Sequence, residues 1–168
     1  MEIFANEKGK KIIAITITLV SILELAYFSN KSFKDYRKVY DIGFLALFIV
    51  QPIAFISLYN GKKSYLKIRM ISFILLMLII PTVIYISLPN YTYSEGKEIV
   101  KNEFERMDDI VFINKSIDKS TVPVKDSGSL FVDRSYYYEI KYEGNNIYYI
   151  VDPLKGRAIE LEEKYWLN

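Results

Sequence analysis

Hydrophobic and polar positions change their spacing once along this 168-residue chain, at Pro89. Before it, apolar residues form three long, almost charge-free runs. After it, they alternate over short segments bounded by turn residues.

The first run, Ile12–Ser29, holds 18 residues and a single charge, Glu24. The second, Asp41–Tyr59, holds 19 and is charged only at its first position. The third, Met70–Pro89, holds 20 and no charge. A helix rises about 1.5 Å per residue, so a hydrocarbon core of roughly 30 Å takes about 20 apolar residues. A core helix of a soluble bundle keeps a polar stripe, which these runs lack. The pattern therefore predicts three transmembrane helices, at 12–29, 41–59 and 70–89, behind a short N-terminal segment, 1–11. Tyr27, Phe28, Tyr40, Tyr59, Tyr85 and Tyr91 fall at or near the predicted ends, where amphipathic rings prefer the headgroup level. Pro52 and Pro81 lie inside spans and predict kinks, which neighbouring membrane helices tolerate. Lys8, Lys10 and Lys11 before an apolar core also fit a signal peptide. However, the bulky and then basic Tyr27–Lys31 offers no small-residue cleavage site, so the first run reads as a retained helix.

Beyond Pro89, Thr92-x-x-Glu95 fits a capping box, with Ser94 as an alternative cap. Ile99, Val100, Phe104 and Met107 then share one face of an amphipathic helix over 95–107, Gly96 notwithstanding. Asp109–Ser116 is rich in β-branched and aromatic residues and predicts a strand. Residues 117–134, with Pro123 and Gly128, read mainly as a loop. Tyr136–Asp152 predicts a hairpin with a type II′ turn at Gly144-Asn145, pairing Tyr138 with Val151 and Ile140 with Tyr149. One face then carries Tyr136, Tyr138, Ile140, Tyr142, Ile147, Tyr149 and Val151. The other carries Glu139, Lys141, Glu143, Asn146 and Asp152. A turn at Asn145-Asn146 leaves both faces unchanged. Asp152–Gly156 predicts a turn, and Arg157–Glu162 a last strand. The expected fold is a membrane α-helical region of three spans followed by a small α+β domain over 90–168. In that domain one helix packs on an antiparallel sheet of about four strands.

These elements resemble the PepSY family across about residues 94–162. The likeness rests on the helix Glu95–Met107, the strand Ile110–Asn114, the YEI-type strand Tyr138–Tyr142, and Ile147–Ile159 with its Asp152…Gly156 turn. Pro153 and Lys155 depart from the small residue and the Thr that the family favours there. The resemblance implies a non-catalytic domain outside the cytoplasm that binds or inhibits a partner, as in protease propeptides and bacterial membrane proteins. It carries over no catalytic residue.

Composition sharpens the division. Overall the chain has a net charge of +2, which separates into +6 for residues 1–89 and −4 for 90–168. A basic apolar half points to a membrane surface. Basic residues near the spans set orientation: seven flank the side holding the N-terminus and second loop, and four lie in the first loop. The N-terminus is expected inside a bacterial cell membrane and the C-terminal domain outside. The juxtamembrane clusters Lys31/Lys34/Arg37/Lys38 and Lys62/Lys63/Lys67/Arg69 fit topology and anionic lipid, with no nucleic-acid partner.

Neither Cys nor His occurs, which removes thiol and imidazole catalysis and the usual zinc sites. There is no P-loop, Rossmann fingerprint, G-x-S-x-G or H-E-x-x-H motif, so the chain is expected to be no enzyme and to use no cofactor or metal. Glu103, Glu105, Asp108 and Asp109, and Glu160, Glu162 and Glu163, read as solvated charge runs. Glu24 is the provocative residue, because a carboxylate within a span is costly. It fits either an ion or proton site, or a protonated or snorkelling side chain that contacts Gln51 or a backbone carbonyl, and interhelical hydrogen bonding accounts for Gln51. Tyr137 and Tyr148 fall on the charged sheet face and are the candidate interface residues. The expected partners are the bilayer and a membrane or envelope protein. The leading function is a binding or regulatory domain for a protease, peptide or envelope partner. The alternatives are an immunity or accessory subunit of another membrane protein, and a small transporter or channel component using Glu24.

Overall fold

The computed structural model describes residues 7–40, 42–60, 66–104, 110–124 and 131–166. Lys62, Lys63, Glu105, Met107, Asp108, Asp109 and Gly128, singled out in the sequence, lie outside these. The chain forms two compact units, and the boundary is not at Pro89 alone. Residues 1–29 and 42–87 make a helical unit, whereas 30–41 join 88–168 in the other.

In the helical unit, α1 runs Glu7–Lys34, a 3-10 turn covers Ile42–Leu45, α2 runs Ala46–Asn60 and α3 runs Leu66–Ile86. Pro52 and Pro81 lie inside α2 and α3, as their positions predict. Among the described residues, two helices are long and apolar enough to cross a bilayer, over Lys11–Lys34 and Ile68–Ile86. The expectation of three spans of sufficient length is corrected at the second. Its apolar stretch among the described residues, Gly43–Leu58 with the 3-10 turn included, is shorter than the other two. Ile17, Phe55, Met70 and Phe73 form a small shared core, and Phe28 stacks on Phe48 at 5.4 Å. Only 17% of each long apolar window is buried. A soluble protein's core helix would be mostly covered. Here Ile12, Leu19, Leu23, Leu75, Leu78 and Ile86 stand exposed, an arrangement that water penalises and lipid does not.

In the second unit, α4 spans Tyr93–Lys101. Its start follows the sequence: Thr92 Oγ1 accepts from Glu95 N–H, and the Glu95 carboxylate accepts from Thr92 N–H at 2.7 Å, closing the capping box. It ends earlier than the predicted 107, and Phe104 packs on Tyr142 and Tyr149 from the turn beyond it.

Among the described residues the sheet has five antiparallel strands rather than about four: β1 Val111–Phe112, β2 Thr121–Pro123, β3 Arg134–Tyr142, β4 Asn145–Val151 and β5 Ala158–Leu161. β3 pairs with β4 along one edge. Its other edge is shared, with β2 on Arg134–Tyr136 and β1 on Ile140–Lys141. Thus the strand expected over 109–116 pairs through only two residues, and the expected loop 117–134 contributes a strand of its own.

The hairpin register differs from the predicted one by two residues. Tyr138 pairs with Tyr149 and Tyr142 with Asn145, leaving Glu143-Gly144 as the turn. Both turn residues have positive φ, 48° and 86°, the signature of a type I′ turn whose twist matches the flanking strands. A shift of two preserves each residue's side, so the two faces stand as read. The Asp152–Gly156 turn also forms: Asp152 Oδ1 accepts from Leu154 and Lys155 N–H, and Gly156 adopts φ +63°.

α4 covers the aromatic face. Tyr136 donates its hydroxyl to the Tyr91 carbonyl at 2.8 Å, and Tyr138 donates to the Tyr93 carbonyl at 2.7 Å. Tyrosine can thus fill this core, because the Tyr136 and Tyr138 hydroxyls have backbone acceptors and Tyr149 has the Glu160 carboxylate.

Candidate functional site

Two places hold the chemistry-bearing residues marked in the sequence. The first lies in the helical unit. Ser21 of α1 donates Oγ to Gln51 Oε1 of α2 at 2.7 Å, and Glu24, one turn further along α1, faces the same amide. Gln51 is 97% buried, since 3% of it is exposed. Glu24 Oε2 and Gln51 Nε2 are buried without a hydrogen-bond partner among the described residues. Sequence alone suggested Glu24 beside Gln51, and the structure brings them together with Ser21 as a third member. Thr16 and Thr18 satisfy their hydroxyls on carbonyls four residues back in α1. The Ser21–Gln51 bond can therefore hold α1 against α2, a contact worth about 1 kcal/mol.

The second place is the sheet face away from α4. Glu139 of β3 lies there with only 5% of its side chain exposed, ion-paired to Lys115 and 3.9 Å from Lys164 Nζ. Tyr137 is fully buried, stacked parallel to Tyr148 at 6.5 Å and capped by Tyr165 at 6.4 Å. Tyr165 in turn meets Trp166 edge-on at 5.1 Å. The alternation of polar residues along β3 predicts a solvated face, but the C-terminal segment 164–166 folds over part of it. Tyr148 remains only part-buried, and Ile159 and Tyr165 are exposed beside it. Among the described residues, no group of three or more His, Cys, Asp or Glu is placed to hold a metal ion.

Burial also sets the proton chemistry of the tyrosines. It pushes Tyr137, beside the Glu139 carboxylate, up to about 12, and Tyr149, whose hydroxyl donates to Glu160, likewise to about 12. Tyr136 and Tyr138 are raised further by the same desolvation. An unfolded tyrosine ionises near pH 10. Because the folded values are higher, this contribution to stability is complete below about pH 10 and is lost as pH rises through about 12. Tyrosinate absorbance of the full chain should rise in two stages, exposed tyrosines first and the buried set only with unfolding. A single stage near pH 10, with the fold retained, would contradict the packing of these four rings.

Sequence reasoning missed the part played by residues 30–41. Val39 and Tyr40 are buried in the second unit; Tyr40 bridges to Val132 and stacks on Phe131 at 6.1 Å. Asp35 O accepts from Tyr93 N–H at 2.7 Å, and Lys38 Nζ meets Asp118 Oδ1 at 2.8 Å. The apolar Val39-Tyr40 pair was the available signal, obscured by its position beside a predicted span. Comparison with protein-family models, curated proteins and solved structures finds no match to any of them.

Proposed function

We propose that this chain is a three-span membrane protein that presents a non-catalytic binding or regulatory domain outside the cell membrane, to a protease, peptide or envelope partner. The observation that carries the reading is the composition of the second unit: residues 30–41, which precede α2, fold with residues 88–168, which follow α3. Two segments of one folded unit lie on one side of a membrane, so α2 and α3 either both cross or neither does. The length and exposed apolar surface of α3 favour crossing, and α2 then crosses with it. Its short apolar stretch gains reach from the 3-10 entry, at about 2.0 Å per residue, and from local bilayer thinning. The packing of Ile13, Ala14 and Ile17 of α1 with α2 and α3 residues favours a retained first helix over a cleaved signal.

The basic first loop, which weakens a simple count of positive charges, fits the same topology. Lys31 lies 3.9 Å from Asp35, Lys38 pairs with Asp118, and Arg37 lies against the Tyr93 ring. These cations serve the domain's own structure and need not report the cytoplasmic side. A PepSY-like binding module remains the reading of the domain that best fits its helix-on-sheet arrangement. Exposed Ile159 and Tyr165, with part-buried Tyr148, offer an aromatic and apolar contact surface on the face opposite α4.

The native chain has no thiol, so a single Asn145→Cys substitution in the exposed hairpin end gives a clean test. A membrane-impermeant thiol reagent should label it in intact cells, and the same thiol carrying a photo-crosslinker should reach an envelope protein. Labelling only after lysis would place the domain inside and overturn the topology. Labelling in intact cells without any cross-linked partner, from this position and from Tyr148→Cys, would count against the binding role.

A further inference from the structure

A cavity of about 210 Å³ opens in the second unit, lined by Lys34, Asp35 and Arg37 from one side and by Thr92, Tyr93 and Lys97 from the other. It is smaller than the roughly 300–1,000 Å³ that drug-sized ligands occupy, and fits a compact group. Its charge is one-sided. Asp35 already has Lys31 within 3.9 Å, whereas Lys34, Arg37 and Lys97 have no carboxylate in salt-bridge range among the described residues.

Two of these cations share one aromatic ring. The Arg37 guanidinium lies 5.1 Å from the Tyr93 centroid, and the Lys97 ammonium lies 5.5 Å from it and 5.3 Å from the Phe112 centroid. Ring contacts position a cation but supply no hydrogen-bond acceptor. Arg37 Nε is accordingly buried without a hydrogen-bond partner. Converging like charges around a small cavity repel one another unless an anion lies among them. An anion with several oxygens can accept from a guanidinium and two ammonium groups together, which is the chemistry of phosphate.

We propose that this cavity binds a phosphate-bearing anion, met by the protein as the headgroup of an anionic phospholipid. The lipid assignment rests on the membrane reading above. Lys34 is the last residue of α1 and Thr92 follows the end of α3, Ile86, by six residues, so both walls are continuous in sequence with apolar helices. A phosphodiester headgroup carries the anionic oxygens that guanidinium and ammonium groups bind by charge-assisted hydrogen bonds.

The test titrates the full chain in maltoside detergent with short-chain phosphatidylglycerol, short-chain phosphatidylcholine and inorganic phosphate. Phosphatidylglycerol should bind more tightly than phosphatidylcholine. Lys34→Gln and Lys97→Gln should each weaken it about fivefold. Lys34→Arg should retain binding, and Lys141→Gln, on the exposed sheet surface, should not alter it. Trp166 fluorescence reports that each variant is folded. Inorganic phosphate binding with the same dependence on Lys34 and Lys97, without preference for phosphatidylglycerol, would keep the phosphate site and remove its lipid source. Equal binding of the two lipids with no phosphate binding, or undiminished binding by both Gln variants, would overturn the site. The membrane reading fails separately, if the unmodified chain is released from membranes by an alkaline carbonate wash.

Discussion

Gly96→Ala in the full-length chain is expected to lower the unfolding free energy of the second unit by about 3 kcal/mol. On helix propensity alone alanine would gain up to about 1 kcal/mol over glycine. Tertiary contact reverses the sign. A Cβ at residue 96 would overlap Tyr138 Oη and stand 3.2 Å from its Cζ and 3.3 Å from Tyr136 Cδ2. The Tyr138 ring has little room to retreat, being stacked on Tyr93 at 4.8 Å and met edge-on by Phe112 at 5.9 Å. The methyl group therefore displaces the hydroxyl from the Tyr93 carbonyl or lifts α4 from the sheet. Overpacking costs about 1–3 kcal/mol and an unmade buried hydrogen bond about as much again. Thermal unfolding followed by Trp166 fluorescence should show the loss as a midpoint lowered by roughly 10–20 °C. Tyr138→Phe removes the atom in conflict, so the double variant should lose at least about 1 kcal/mol less than the sum of the singles. A Gly96→Ala protein as stable as the parent would mean that α4 does not approach β3 this closely.

Lys115→Ala is expected to cost a similar amount, about 3 kcal/mol, by a different route. Glu139 sits on β3 with 5% of its side chain exposed, and Lys115 is its close ion-pair partner at 17%. Removing the lysine leaves a buried carboxylate with Lys164 at 3.9 Å as its remaining counter-charge. The loss comes from stranding that charge and does not measure a net benefit of the pair. Replacing both members with apolar residues, Lys115→Met with Glu139→Leu, should therefore recover most of the stability. Denaturant unfolding of the two variants distinguishes the cases. If Lys115→Ala stays within about 0.5 kcal/mol of the parent, Lys164 alone is a sufficient counter-charge and Glu139 is not a stranded group.

How much was legible depends on the range of the interaction concerned. The capping box at Thr92–Glu95 and the Asp152–Gly156 turn are set by side chains two to four residues apart, and both form as their spacing predicts. The hairpin's faces were legible because strand period is two, whereas its register was not. A shift of two residues leaves every apolar position on the same side, so alternation cannot separate Gly144-Asn145 from Glu143-Gly144 as the turn. Strand twist makes that choice, favouring positive φ at both central residues even at the expense of placing Glu143 there.

Glu139 and Tyr137 show the opposite case. Alternation assigns both to the polar side of β3, and they do lie there. Yet a residue's side does not fix its exposure, which here depends on Lys115, Lys164, Tyr165 and Trp166 arriving from elsewhere in the chain. The same limit applies to Glu24 and Gln51. Their polarity within apolar runs identified them, but the meeting with Ser21 across α1 and α2 came from packing.

Local pattern was enough to show where the chain is apolar for long enough to meet a bilayer, where its period changes, and which residues share a face of its helix and strands. Those properties follow from local spacing and composition, which each segment carries with it. Packing alone placed residues 30–41 with the C-terminal unit, and formed five strands among the described residues where about four were expected. It also decided that Arg37 and Lys97 converge on one ring. Each of these joins residues more than fifty positions apart or fixes the pairing of short strands. Shape and hydrogen-bond complementarity between distant segments choose such contacts, and no local pattern encodes them.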